Sequence, residues 1–327
     1  MHYMNSLDTA QPIKNRFKNK SIISLDQFDR ASLDTVFGRA KRIAGQVKRG
    51  TYPKPLKNKL ITLLFFEPSS RTFSSFTAAA KRLGAVTIEY QNPTQTSSAV
   101  KGETLEDTIR TFINYSDAIV MRHYEPGAAM KAYSVSAGIP ILNAGDGTGE
   151  HPTQALLDLY TLTSHFGNLD GIKGLMVGDL LNGRTIHSLL RGLALYKKAE
   201  VYLLAPQSLK LKKEDRELFE AKGVRIHEIK SADDIPTDCR FWYWTRVQKE
   251  RFKDSKEYEK LKHSFILTPE LLKRKGNKHM VIMHPLPRVG EIDTQIDSDP
   301  RAIYLTEHMR NGVYVRMALL SLVLGGK

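Results

Sequence analysis

The stretch LITLLFFEPSSRTFSSFTAAAKRLG, residues 60–84, decides the fold. Its first seven residues, 60–66, form an apolar run with the length of a buried parallel strand. From Phe73 to Leu83, apolar side chains recur every three or four residues, which predicts a helix. A short polar turn, residues 67–72, joins the two segments. The stretch therefore predicts a strand, a tight turn and the start of a helix.

Short apolar runs and helical segments alternate along the rest of the chain. Four runs precede the Gly-rich stretch NAGDGTGEHP, residues 143–152, and the others follow it, which predicts a boundary between two halves near residue 150. Because this alternation is typical of parallel sheets, we predict an α/β fold of two doubly wound domains, each with a central, mainly parallel sheet flanked by helices. The final segment, 312–326, is apolar almost all round and predicts a buried helix. The predicted strands are 60–66, 85–90, 118–123, 139–145, 174–179, 201–206, 224–229, 241–245 and 281–285.

The composition is that of a globular protein. The chain has 327 residues, enough for about two domains of roughly 150 residues each. A hydrophobic fraction of 41% and a charged fraction of 26% exclude disordered and collagen-like classes. No apolar stretch has the length of a membrane helix, and residues 1–20 lack a secretory apolar segment. Cys239 is the single cysteine, so we expect a cytoplasmic protein without disulfides or a structural metal.

The net charge of +14, from 49 Lys and Arg against 35 Asp and Glu, is compatible with a nucleic-acid-binding protein. The basic residues are nevertheless spread along the chain and are often mixed with acids, as in residues 210–223. This distribution favours a solvated surface, with small anionic ligands as the second interpretation.

The turn Ser69-Ser70-Arg71-Thr72 combines three hydroxyls and a guanidinium with the start of the predicted helix. The first turn of a helix presents unpaired backbone N–H groups and the positive end of the helix dipole. This combination predicts a phosphate site. An ordinary Ser N-cap is the alternative, but Arg71 is unfavourable inside a first turn unless an anion is bound.

His151 and Gln154 belong to a second candidate, GEHPTQ at residues 149–154, which opens another predicted helix. Pro152 suits the first helical position, which leaves His151 just outside the helix and Gln154 on its first turn. Ligands of open α/β sheets bind in a crevice at the ends of the strands, so both side chains are candidates for that crevice. A structural histidine is the alternative.

Two further strand ends carry polar residues. Residues 246–251 place three cations and an amide within six positions, for which a solvated charge run is the alternative. In residues 283–288, MHPLPR, the prolines fix an irregular backbone whose carbonyls need partners, and a merely rigid loop is the alternative. A dinucleotide site at Gly178 and Asp179 is not favoured, because the G-x-G-x-x-G spacing is absent.

Seven motifs follow one another along the chain: SSRT (69–72), KGET (101–104), VMRH (120–123), HPTQ (151–154), NGRT (182–185), TRVQKER (245–251) and HPLPR (284–288). In their order and spacing they closely resemble the catalytic chains of the aspartate carbamoyltransferase family. The resemblance runs from about residue 20 to the C-terminus. It implies transfer of the carbamoyl group of carbamoyl phosphate to the amine of L-aspartate in pyrimidine biosynthesis, with no cofactor and no metal. It also implies a carbamoyl phosphate-binding domain of residues 1–152 and 310–327, to which the C-terminal helix returns, and an aspartate-binding domain of residues 153–309.

The resemblance also implies which residues bind carbamoyl phosphate. The phosphate would lie at the helix start, and the carbamoyl NH2 would be bound by Gln154 with backbone carbonyls of Pro285 and Leu286. The implied catalytic residues are Arg71, Thr72, Lys101, Arg122 and His151. The implied carbamoyl phosphate ligands are Ser69, Ser70, Arg71, Thr72, Ser97, Lys101, Arg122, His151, Gln154, Pro285 and Leu286.

For aspartate, the resemblance implies that Arg184, Arg246 and Gln248, with Lys101, receive the two carboxylates. A planar guanidinium suits a carboxylate better than an ammonium does. Family members are built on homotrimers in which a neighbouring subunit inserts a loop into the site. Ser97 and Lys101 are the matching loop residues here.

Glu67 is implied to tie the two domains together in the closed state by pairing with arginines. Arg184 and Arg251 are its implied partners. The family resemblance leaves open whether regulatory chains or other pathway enzymes bind.

Ornithine carbamoyltransferase is the alternative within the superfamily, since it shares the phosphate half. It usually carries a Cys in the loop where this chain has His284-Pro285-Leu286, and a Ser-Met-Gly stretch in place of TRVQKER. Both features are missing, and two arginines around a cationic substrate would be unfavourable. A basic nucleic-acid-binding protein explains none of the motifs, and a catalytically dead subunit does not explain why every matched polar position is intact.

Overall fold

The computed structural model describes residues 10–92, 102–249, 252, 254–262 and 264–325. It consists of two compact units. The first is Met1–Leu156 with Asn311–Lys327, and the second is Leu157–Arg310.

The first unit is built on a four-stranded parallel sheet with the order β2-β1-β3-β4. Because the chain order reverses between β1 and β3, the loops that follow these two strands leave the same edge in neighbouring positions. The N–H of Phe66 donates to the carbonyl of Arg122 at 2.8 Å, and this hydrogen bond joins the ends of β1 and β3. The strands are β1 Leu60–Phe65, β2 Val86–Gln91, β3 Ala118–His123 and β4 Ile141–Asp146.

Helices cover this sheet, and the last helix of the chain joins it. The N–H of Asn19 donates to the carbonyl of Val323 at 2.8 Å, and Arg316 donates to the hydroxyl of Ser75 at 2.9 Å, so the C-terminal helix packs on the first unit. The helices are α1 Arg30–Lys48, α2 Ser70–Arg82, α3 Leu105–Phe112, α4 Ala128–Ser134 and two helices whose residues are divided between the two ranges, α5 Pro152–Phe166 and α10 Glu307–Val323.

The second unit is built on a five-stranded parallel sheet with the order β7-β6-β5-β8-β9. Here the chain order reverses between β5 and β8, so the loops after these two strands are neighbours. The strands are β5 Lys173–Val177, β6 Glu200–Leu204, β7 Arg225–Ile229, β8 Phe241–Trp244 and β9 Val281–Met283, and the helices are α6 Arg184–Leu193, α7 Lys213–Ala221, α8 Ser255–Leu261 and α9 Pro269–Lys275.

The predicted fold class is confirmed, and each predicted strand is present. Strands such as β3 and β8 are buried along their whole length, which is why they read as continuous apolar runs. Strand β2 differs: it lies at the edge of its sheet, and Val86 is 61% exposed. Strand β9 ends at Met283, two residues earlier than predicted, just before the proline-rich loop. In the part of the chain that the structure describes, no helix has the length and apolar character to cross a membrane.

Candidate active site

The turn between β1 and α2 carries the first candidate site. Ser69 occupies the N-cap position of α2 with φ −159° and ψ 89°, and within the described residues its side chain makes no capping hydrogen bond. The hydroxyl is therefore not used as an ordinary N-cap, which was the alternative to a phosphate site. In the first turn of α2, Ser70 is exposed, Arg71 is half-buried and Thr72 is buried.

Arg122 lies at the end of β3, beside this turn, and is 7% exposed. Its Nη2 is 2.8 Å from Oε2 of Glu67, and its Nη1 donates to the carbonyl of Ala144 at 3.3 Å. The β1–β3 register explains the pair, because Phe65 and Arg122 are opposite each other and Glu67 follows two residues later. Glu67 thus holds the guanidinium of Arg122 at the carboxyl edge of the sheet.

The pairing of Glu67 with Arg184 and Arg251 stays a prediction. Arg251 lies outside the described residues, as do Ser97 and Lys101 of the predicted inserted loop. The ion pair between Glu67 and Arg122 was not predicted from the sequence.

His151 and Thr72 come together although 79 positions separate them in the chain. His151 Nε2 lies 3.5 Å from Thr72 Oγ1, and both side chains are buried. Pro152 begins α5, and the N–H of Gln154 donates to the carbonyl of His151 at 2.9 Å. The first unit therefore gathers a hydroxyl, an imidazole and the nearly buried amide of Gln154 where α2 and α5 begin.

Asp146 holds the loop that leads to His151, a role that sequence reasoning missed. Its Oδ1 accepts from the N–H of Glu150 at 2.8 Å, and its Oδ2 accepts from the N–H of Gly127 at 3.2 Å. A Cβ at Gly149 would lie 2.5 Å from Oδ1, so the loop needs a glycine there. Burial raises the pKa of Asp146 to about 6, despite the two N–H groups that favour its ionised form.

We predict that Asp146→Asn changes how stability depends on pH. Because the folded protein holds this proton more tightly than the unfolded chain, the stabilisation is complete below pH 3.8 and is lost as pH rises through about 6. The difference between the two pKa values corresponds to roughly 3 kcal/mol. The advantage of wild type over Asp146→Asn in free energy of unfolding, measured by urea titration, should therefore shrink between pH 4.5 and 7.5. An advantage that grew with pH would contradict this assignment.

In the second unit, Asp179 shapes the loop between β5 and α6. Its Oδ1 accepts from the N–H of Asn182 at 2.9 Å, and burial raises its pKa. Nε2 of Gln248 donates to the carbonyl of Asn182 at 3.0 Å, which ties the loop after β8 to the loop after β5. Helix α6 begins at Arg184, two residues after Asn182. The predicted residues Arg184 and Gln248 thus belong to two loops that are in direct contact.

Arg246 follows Thr245, which anchors the end of β8 to the end of β5. Thr245 donates to the carbonyl of Val177 from its N–H at 2.8 Å and from Oγ1 at 3.0 Å. Gly178 allows this approach, since a Cβ there would lie 2.1 Å from the carbonyl oxygen of Thr245 and its φ is +118°. Arg246 is half-buried in this fixed turn. The second unit therefore presents two guanidiniums and an amide from neighbouring loops.

Pro285 and Leu286 follow β9 in the same unit. Both are half-buried, whereas His284, just before them, is 1% exposed. Leu286 has a φ of 58°, in the left-handed region that non-glycine residues seldom adopt. Their carbonyls thus belong to an irregular segment with a fixed and unusual backbone.

Carboxylate clusters and a reactive thiol are not among the groups that the described residues bring together. Among the described residues, no group of three or more His, Cys, Asp or Glu side chains is placed to hold a metal ion. Burial raises the pKa of Cys239 to about 12, so the thiol stays protonated at neutral pH. The groups gathered at the strand ends are instead cations, hydroxyls and amides, which suit the binding of anions.

Comparison with known families identifies both units. A family model for the carbamoyl phosphate-binding domain of aspartate/ornithine carbamoyltransferases matches residues 20–164, and one for the Asp/Orn-binding domain matches residues 170–323. The chain belongs to the aspartate/ornithine carbamoyltransferase family. The family and the enzyme class predicted from the sequence, a carbamoyltransferase, are thereby confirmed.

Several relatives in this family resemble the chain over nearly its whole length. Aspartate carbamoyltransferase 3, chloroplastic, of Pisum sativum is 46% identical over 95% of this chain and 79% of its own length. The aspartate carbamoyltransferase catalytic subunit of Hyperthermus butylicus is 44% identical over 94% of this chain and 97% of its own. The crystal structure of aspartate transcarbamoylase from Trypanosoma cruzi in complex with carbamoyl phosphate and aspartate superposes with a TM-score of 0.88, at 41% identity over 96% of this chain and 99% of that one.

Proposed function

We propose that this chain is an aspartate carbamoyltransferase, which converts carbamoyl phosphate and L-aspartate to N-carbamoyl-L-aspartate and phosphate, an early step of pyrimidine biosynthesis. The observation that carries the proposal is the close match to the Trypanosoma cruzi enzyme solved with both substrates. Named aspartate carbamoyltransferases that are 44 to 46% identical to the chain bear out the activity predicted from the sequence. No cofactor is required by this reaction.

The first unit binds carbamoyl phosphate in this proposal. The phosphate lies against the first turn of α2, where the chain carries the backbone N–H groups of a helix start, the hydroxyls of Ser69 and Ser70 and the Arg71 guanidinium. The carbonyl oxygen faces Thr72, Arg122 and His151. Arg122 is held for this task by Glu67 and the Ala144 carbonyl, so it needs no reorganisation when charge develops.

The second unit binds aspartate. Arg184, Arg246 and Gln248 receive its two carboxylates, and Asp179, Asn182 and Thr245 fix the loops that carry them. Guanidiniums bind carboxylates with two parallel hydrogen bonds, so they select for a dicarboxylic amino acid. A cationic side chain, as in ornithine, would meet like charge and be rejected.

The reaction then proceeds by direct attack, without a covalent enzyme intermediate. The uncharged amine forms a bond to the carbonyl carbon, negative charge grows on the carbonyl oxygen, and the C–O bond to phosphate breaks. The proton lost from nitrogen goes to the departing phosphate or to water. Donors aimed at the oxygen and the leaving phosphate supply most of the acceleration, each worth about 3 to 4 kcal/mol.

The active assembly in this proposal is a homotrimer with shared sites, in which Ser97 and Lys101 come from a neighbouring subunit. Mixing Lys101→Ala chains with Arg71→Ala chains tests this arrangement, because some hybrid sites receive one intact contribution from each chain. We expect the mixture to regain measurable activity that neither variant has alone. Hybrids that stay inactive would place the site within one chain. Regulatory chains are a further proposal, tested by co-purification from the native source.

We place the chain in the cytoplasm, on the basis of its single, buried cysteine. The Pisum sativum relative is named chloroplastic, so an organelle is the alternative compartment to test. Fractionation of cells that express the full-length chain with a C-terminal tag decides between the cytosol and an organelle.

Substrate choice provides the test of the proposed function. The purified chain is given carbamoyl phosphate with L-aspartate or with L-ornithine, and the carbamoylated amino acid is measured. We expect product with aspartate alone. Product with ornithine alone would retain the phosphate half and overturn the roles of Arg184, Arg246 and Gln248. No product with either would contradict the proposed function.

A further inference from the structure

His284 and Glu291 form a buried pair in the second unit that the mechanism above does not use. Their side chains are 1% and 4% exposed, and His284 Nε2 lies 2.6 Å from Glu291 Oε1. They flank the segment that contains Pro285 and Leu286. Burying two titratable side chains costs desolvation free energy, so a pair of this kind is retained for what it contributes to the segment beside it.

The hydrogen bonds define which ring nitrogen carries the proton. The backbone N–H of Leu286 donates to His284 Nδ1 at 2.8 Å, so Nδ1 must be an acceptor without a proton. The proton of the neutral ring then lies on Nε2 and is donated to Glu291. Burial lowers the pKa of His284, in agreement with a neutral ring.

Glu291 acts on the same segment from the other side. Its Oε2 accepts from the backbone N–H of Val289 at 2.9 Å. The Glu291 carboxylate thus accepts a hydrogen bond from the imidazole at one oxygen and a hydrogen bond from the backbone at the other. Arg288 adds a third attachment, since its Nη2 donates to Asp297 Oδ2 at 2.8 Å. The segment 284–291 is thus fixed at its start by His284 and at its end by Arg288 and Glu291, and each of these side chains has a hydrogen-bond partner.

Leu286 is the residue that needs this support most. Its φ of 58° lies in the left-handed region, which is unfavourable for a residue with a Cβ. Such a conformation persists only when surrounding contacts impose it, and residues held in this way occur often at ligand sites. The bond from the Leu286 N–H to His284 Nδ1 is the contact that acts directly on that residue.

We propose that His284 and Glu291 are positioning residues, which fix the backbone of Pro285 and Leu286 so that their carbonyls can accept hydrogen bonds from the NH2 group of carbamoyl phosphate. Glu291 fixes the ring form in which Nδ1 accepts, and Nδ1 fixes Leu286. The inference rests on the proposed function, because the role of the two carbonyls is the one that the family resemblance implies for that activity. It adds the residues that make those carbonyls a preformed acceptor pair.

Two amide substitutions at His284 distinguish the role of Nδ1 from that of Nε2. In His284→Asn the side-chain oxygen lies near the position of Nδ1 and retains an acceptor for the Leu286 N–H. In His284→Gln the amide nitrogen lies near Nε2 and retains a donor to Glu291, but the acceptor is lost. His279→Gln, at an exposed histidine that precedes β9, is the matched control.

The readout is kcat/KM for carbamoyl phosphate, together with the inhibition constant of inorganic phosphate. We expect His284→Gln to lose about tenfold or more in kcat/KM, and His284→Asn to lose no more than about threefold. Phosphate inhibition should change by less than about twofold in both, since phosphate binds in the first unit. His279→Gln should match wild type in each measurement.

Equal losses in the two His284 variants, or phosphate inhibition weakened as much as kcat/KM, would overturn the positioning role in favour of a purely structural one. Wild-type kcat/KM in His284→Gln would overturn it as well. If His284→Gln does not fold, Glu291→Gln takes its place and should lose about tenfold with phosphate inhibition retained. An unaltered chain that makes no N-carbamoyl-L-aspartate would instead contradict the proposed function, which separates the two failures.

Discussion

Arg71→Ala is expected to lower turnover at least about a hundredfold while the protein folds normally. Arg71 sits in the first turn of α2, where its cation opposes the helix dipole unless an anion is bound. Its proposed task is to stabilise the phosphate as it leaves, so its removal acts on the transition state more than on the fold. The measurement is kcat with saturating carbamoyl phosphate and aspartate, with a melting curve to check folding.

The matched control for Arg71→Ala is Arg82→Ala, which removes the same charge from the last turn of the same helix. We expect Arg82→Ala to keep near-normal turnover. Inhibition by inorganic phosphate should weaken in Arg71→Ala and stay unchanged in Arg82→Ala. Near-normal turnover in Arg71→Ala would remove this residue from the site.

Arg246→Ala is expected to raise KM for aspartate about a hundredfold. Truncating one partner of a close charge pair typically costs about 2 to 5 kcal/mol, because a bidentate contact to a carboxylate is lost and the other charge is left unpaired. Inhibition by phosphate should not change, since Arg246 belongs to the second unit. Steady-state kinetics at saturating carbamoyl phosphate measure the effect.

Lys249→Ala provides the comparison for Arg246→Ala. Lys249 lies three residues further along, is exposed, and places its ammonium 5.9 Å from the centre of the Tyr258 ring. It removes one positive charge from the same loop without touching the proposed carboxylate contacts, so KM for aspartate should stay within about twofold of wild type. Equal effects of the two substitutions would mean that net charge, and not a specific contact, determines aspartate binding.

The strands could be predicted from the sequence because parallel strands covered on both faces leave continuous apolar runs. Strand β3, buried along its whole length, coincides with the predicted residues 118–123. Strand β2 was predicted as a short apolar run, residues 85–90, but its exposure could not be predicted, since an edge position depends on which strands pair. The local sequence pattern therefore predicts that a segment is a strand, but it does not predict which strands lie next to it in the sheet.

The candidate site shows the same limit. The anion-binding turn at Ser69–Thr72 was predictable, because helix start, hydroxyls and cation are adjacent in sequence. The pair Glu67 and Arg122 was not, since it depends on β1 and β3 lying side by side. Asp146 was missed for another reason: its effect arises from burial and from a contact with Gly127, neither of which a sequence pattern reports.

Joining the carbamoyl carbon to the amine of aspartate is the step that defines the proposed function. Carbamoyl phosphate labelled with ¹³C and L-aspartate labelled with ¹⁵N are incubated with the purified chain and followed by ¹³C NMR. We predict a product resonance split by one-bond coupling between ¹³C and ¹⁵N, which accumulates together with phosphate. Release of phosphate with the ¹³C label found only in bicarbonate or free carbamate would show hydrolysis without transfer and would contradict the proposed function.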